Sequence, residues 1–147
     1  MQKIILLFFV AIFLIIQIIP VTRDNPPVTA DFEGPSEVKD IFEKSCYDCH
    51  SNETVWPWYS RVAPISWLVA GDVSEGRENL NFSEWGTYSA KKQIKLAENI
   101  GEEIKEGEMP LMIYLILHSS AKLDERQKAI IYDWVASQTG QLPEDDR

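Results

Sequence analysis

An all-α fold is predicted, and three observations carry the prediction. Four stretches repeat apolar residues at helical spacing, helix start and stop residues bound them, and no alternating apolar–polar run is long enough for a strand. At 147 residues the chain has room for one domain and an accessory segment.

The accessory segment comes first. In "MQKIILLFFVAIFLIIQIIP" only Gln17 is polar between Ile4 and Ile19. Sixteen helical residues span about 24 Å, short of a bilayer core of about 30 Å, and Pro20, Val21 and local thinning can close the gap. Residues 1–20 are therefore expected to be a signal anchor and transmembrane helix. A cleaved signal is the competing reading, but no small-x-small site follows at the expected distance. Lys3 and the amino terminus favour the cytoplasmic side, weakly opposed by Arg23, which sends the rest of the chain outward. Residues 21–35, with three prolines and a glycine, read as an extended tether.

The domain proper is expected over 36–140, with a tail at 141–147. Its first helix, "SEVKDIFEKSCYDCH", has Ser36 as cap and Val38, Ile41, Phe42 and Ser45 on one face. Pro64 then starts "PISWLVAGDVSEGRENL", with Ile65, Leu68 and Val69 inward. "SAKKQIKLAENIGEEIKEGEMP" aligns Ile94, Ala97, Ile100 and Ile104, and ends at Gly107 and Pro110. The last helix has Asp124 as cap, Gln127 three residues on, and Ile130, Ile131, Trp134 and Val135 inward. Four short helices and long loops leave the middle under-filled, as a large flat apolar group would require. The five tryptophans near those loops are, taken singly, core residues.

All 23 acidic residues and 13 of the 14 basic ones follow Pro20. So acidic a domain is a poor ligand for nucleic acid or anionic lipid, and suits solubility or a partner with a basic docking patch.

The two cysteines fall in "CYDCH" as Cys46 and Cys49, followed by His50. A thioredoxin-like dithiol needs a strand–helix unit, and none is predicted. A zinc site wants four ligands, and only His118 could join these three. A plain disulfide leaves His50 unexplained. Covalent haem attachment explains all three: thiols three apart on a helical turn meet two vinyl groups, and the next imidazole meets the iron. This chemistry belongs outside the membrane, in agreement with the anchor. The distal ligand is sought among Met109, Met112 and His118. Met109, between Gly107 and Pro110, sits on a stiff loop and is favoured; Met112 in "PLMIYLIL" reads as core, and His118 as an exposed loop residue.

These residues resemble a known family, the bacterial haem-binding domain proteins, which are related to c-type cytochromes. The likeness rests on "CYDCHSNETVWPWYSRVAPISWLVAGDVSEGRENLNFSEW" and "GEMPLMIYLILHSSAKLDERQKAIIYDWV", and covers roughly residues 36–136. It implies a cytochrome c-like helical domain with thioethers at Cys46 and Cys49 and proximal ligation by His50. By analogy with cytochromes c it implies a distal role for Met109.

Around the haem, Arg77 is a candidate partner for the propionates, while Arg61 reads as solvated. Trp58, Tyr59 and Trp67 could donate to a propionate or stack at the ring edge, with core packing as the alternative. No triad, paired catalytic carboxylates or phosphate loop marks a substrate site. The expected function is one-electron transfer by a monohaem c-type cytochrome held in the bacterial inner membrane, its haem domain on the periplasmic side. The alternative is a haem-based sensor or peroxidase-like protein with an open or displaceable distal site, in which His118 would be the acid–base group.

Overall fold

A computed structural model describes residues 1–140; the expected tail at 141–147 lies outside the described residues. Among these there are seven α-helices, three 3₁₀ turns and no strand, as the periodicity predicts.

Helix α1 covers Gln2–Ile16 and buries none of its side chains. Its 15 residues rise about 22 Å. Among the described residues no helix is long and apolar enough to cross a membrane, so the expected transmembrane helix over 1–20 is not supported. Gln17, the one polar residue of the run, marks the end. Its Nε2 donates to the Phe13 and Ala63 carbonyls, and its Oε1 accepts from the Ala63 N–H at 2.9 Å. That paired carboxamide joins α1 to the domain.

Residues 21–35, expected as a tether, are extended but bound along the domain. Arg23 donates to the Ser60 carbonyl and Asn25 to that of Thr54. The Thr29 and Ala30 N–H groups share the Ser83 carbonyl, and Gly86 donates back to Ala30. Phe32, 1% exposed, closes the core edge-on against Phe42, Phe82, Trp85 and Trp134. Each such aromatic pair contributes about 0.5–1.5 kcal/mol beyond its buried area. The strap is part of the fold.

Helix α2 (Ser36–Ser45) buries Val38, Ile41, Phe42 and Ser45, the predicted face, although Pro35 rather than Ser36 is its capping residue. Helix α3 (Tyr47–His50) follows after one residue and packs on α4 (Ile65–Asn79). In α4 the expected inward stripe is turned out. Ile65 and Leu68 are exposed, and Ser66, Val73 and Gly76 are buried, because α3 takes the Val73–Gly76 side. Helix α5 (Ala90–Glu106) buries Ile94, Ala97, Ile100 and Ile104 as predicted and packs against α7 (Glu125–Thr139). At its end Gly107 adopts φ 80°, the left-handed conformation that closes a helix, and donates to the Glu103 and Ile104 carbonyls. The α7 cap is reciprocal: Asp124 Oδ1 accepts from the Gln127 N–H at 2.8 Å and Gln127 Oε1 accepts from the Asp124 N–H at 3.0 Å. Ile131 and Trp134 are buried, with Ile130 and Val135 packed against them. A short helix, α6 (Met112–Leu115), lies between α5 and α7.

Candidate functional site

Cys46 occupies the break between α2 and α3, with φ −128° and ψ −33°. Its N–H still donates to Phe42, while its own carbonyl accepts from Cys49 and His50 at 3.2 and 2.9 Å. One helical turn therefore carries Cys46 and Cys49 at the spacing of three, with His50 next. Gly76 of α4 sits against this turn. A Cβ there would come within 2.6 Å of the Cys49 carbonyl oxygen, so only glycine permits the approach.

That approach orients His50. Its Nδ1 lies 2.9 Å from the Gly76 carbonyl and 3.2 Å from that of Leu80. Both partners are acceptors, so Nδ1 carries the proton and the lone pair is on Nε2. Burial lowers the imidazole pKa from 6.5, outweighing the two carbonyl hydrogen bonds, and the ring is neutral at pH 7. A neutral ring fixed through one nitrogen is the usual state of a metal-binding histidine.

Both cysteines are free thiols. Burial, then the neighbouring Cys49, pushes the Cys46 pKa up to about 12; burial, then Asp48 and Asp72, pushes that of Cys49 up to about 11. Redox dithiols need the opposite shift. Among the described residues no three His, Cys, Asp or Glu side chains converge as a metal cage.

Cys46, Cys49, His50 and Met109 line one open cleft of about 520 Å³. Its apolar walls include Leu80, Leu96, Ile100, Ile104, Leu111 and Leu123, and its acidic residues are Asp48, Asp72, Glu75 and Glu103. Met109 is held by the end of α5, where the Glu108 and Met109 N–H groups both donate to the Glu103 carbonyl. Opposite, Tyr114 of α6 donates to Asp48 Oδ2 at 2.7 Å and ties the Met109 segment to the cysteine turn. Sequence reasoning missed Asp48, Tyr114 and the contact role of Gly76. Their roles depend on partners 27 to 66 residues away, a distance no local motif encodes.

Other candidates fall elsewhere. Arg77 does not line the cleft; its guanidinium donates to the Ser51 and Asp24 carbonyls, Asn25 Oδ1 and Thr54 Oγ1, and so braces the strap. No lysine or arginine lines the cleft among the described residues. Trp58, 76% exposed, and Tyr59 line an adjoining apolar groove that shares Asp48, Cys49, Asp72, Leu111 and Tyr114 with the cleft. The Tyr59 hydroxyl pairs with His118 Nδ1 at 3.3 Å, and His118 stacks on Tyr114 at 4.2 Å, outside the cleft. Met112, expected in the core, is 82% exposed because α6 turns it to solvent.

The family model described as haem-binding domain matches residues 11–137. The chain belongs to that family. No curated protein and no solved structure matches it. The haem-binding domain thus takes in the end of α1 and the strap, in keeping with Phe32 in the core. The cleft fits its cofactor: apolar walls, a neutral imidazole with Nε2 available and a thioether all line it. Ser45 Oγ, also on its lining, is the buried side-chain polar atom that lacks a protein partner among the described residues, so a bound group is able to supply one.

Proposed function

We propose that this haem-binding domain is a monohaem c-type cytochrome that passes single electrons. Cys46 and Cys49 are its attachment points, His50 its proximal ligand and Met109 its distal ligand. The observation that carries the reading is the convergence of these four residues on one cleft, with His50 held through Nδ1. Cys46 and Cys49 would hold the group by thioethers, each thiol adding across one vinyl double bond, sulfur to one carbon and hydrogen to the other, so that nothing would be released and no oxidant needed. When bound, haem supplies the Fe(III)/Fe(II) couple. His50 gives a fixed nitrogen lone pair, and the Met109 thioether favours the reduced state and raises the potential. The acidic residues lining the cleft suit a redox partner with a basic docking patch. The apolar, unburied α1 suits attachment to a bacterial inner membrane with the domain on the periplasmic side.

Absorbance spectroscopy of the holoprotein tests this. Denatured protein should keep its haem in acidified organic solvent, and ferric protein should show the weak red charge-transfer band of a sulfur–iron bond. Met109→Ala should remove that band and admit carbon monoxide to the reduced iron. Haem released on denaturation would refute covalent attachment. A wild type that lacks the band and binds carbon monoxide readily would put the open-site sensor or peroxidase-like reading in place of electron transfer.

A further inference from the structure

Beside the cleft lies a second concavity of about 320 Å³ whose walls are almost wholly apolar. Trp58, Ile65, Leu68, Ile113, Ile116 and Leu117 line it, and every one of them is exposed. Exposed apolar surface of this extent on a chain with 23 acidic residues marks a contact site. The end of α1 meets the chain that leads into the groove: the Gln17 carboxamide is bonded to Ala63, two residues before Ile65. The side chains of α1 are unburied as well, so a second apolar surface joins the domain through Gln17, close in the chain to the start of the groove.

We propose that this face of the domain rests on a lipid bilayer, with the groove side chains entering the interface beside α1. A single occupant then covers both apolar surfaces, which a peptide or a second globular domain in the groove would not do. Tryptophan suits this position, with an apolar body for the acyl region and an N–H for the headgroups. Trp58 lies in the groove, and Trp67 is exposed on α4 nearby. The charged residues of the groove among the described residues are Asp48 and Asp72, with no lysine or arginine, so the surface fits zwitterionic lipid and gains nothing from anionic headgroups. Asp48 and Cys49 line both the groove and the cleft, which sets the haem attachment turn at the lipid surface.

The inference rests on membrane association through α1 and covalent use of Cys46 and Cys49, and its test separates the three claims. Full-length holoprotein carrying Ile116→Cys, labelled with a nitroxide, is floated with phosphatidylcholine vesicles; Glu98→Cys on α5 is the reference. Wild type should take no label, since both native thiols are consumed; label on wild type refutes attachment alone. At position 116 relaxation by oxygen, which concentrates in lipid, should exceed that by a water-soluble nickel chelate; at position 98 the order should reverse. Adding Ile113→Asp and Leu117→Asp should restore nickel access at 116 with the haem spectrum unchanged and the protein still floating through α1. If that pair disturbs the spectrum, Leu68→Ser is the substitute. Equal nickel access at 116 and 98 in floating protein overturns the inference and spares the α1 anchor. A label at 116 shielded from both reagents marks a protein contact and also overturns it. Protein that fails to float refutes both.

Discussion

A methyl group on Gly76 would lie 2.6 Å from the Cys49 carbonyl oxygen and 3.1 Å from its carbon, both backbone atoms with little freedom to move. Gly76→Ala should therefore push α4 off the cysteine turn, lengthen the hydrogen bond from His50 Nδ1 and cost about 1–3 kcal/mol. A lower thermal midpoint with a reduced yield of attached haem would register it. Met112→Ala, on an exposed side chain, should stay within about 0.5 kcal/mol of wild type and leave the sulfur–iron band in place. His50 gives a pH dependence. Its folded pKa lies below 6.5, so on acidification the unfolded chain takes up the proton first. Its contribution to stability is complete above 6.5 and declines as pH falls below that value. Urea midpoints of haem-free Cys46→Ser/Cys49→Ser protein should drop over that window, and His50→Gln should flatten the drop. At this scale the sequence was informative where chemistry confines a role to few residue types: two cysteines, two histidines and three methionines left little choice. Arg77, Trp58 and Tyr59 were not legible, because which side of the cysteine turn they occupy depends on how α4 and the strap pack.

Among the elements, α2, α5 and α7 bury the stripes their periodicity predicts, because each has one apolar face and the core takes it. Helix α4 has two. The stripe of Ile65 and Leu68 faces the groove, while the quieter line of Ser66, Val73 and Gly76 faces inward. Hydropathy cannot distinguish an apolar stripe meant for a neighbour from one meant for lipid or a partner, and small residues that allow close approach carry little signal. Capping was readable because it is local: Asp124 and Gln127 satisfy each other's N–H groups within one turn. Asp124→Ala should cost about 0.5–2 kcal/mol, measured as a fall in the denaturation midpoint with the haem spectrum unchanged.

At the scale of the molecule, the main departure from expectation is the strap. Proline and glycine made residues 21–35 look like a spacer, yet Phe32 fills the centre of an aromatic cluster and Arg77 clamps Asp24 and Asn25. Phe32→Ala should cost about 3–5 kcal/mol in chemical denaturation. A chain lacking residues 1–35 should fail to give a cooperative transition. This arrangement has a consequence in time. Synthesis delivers Phe32 early, but Trp134, one wall of its pocket, arrives about a hundred residues later, so the core cannot close during most of translation. Cys46 and Cys49 are made well before that closure and line an open cleft after it, so for the proposed attachment their thiols need not await a finished core. Chains arrested before Glu125 should accept haem while remaining sensitive to protease, and only completed chains should resist it.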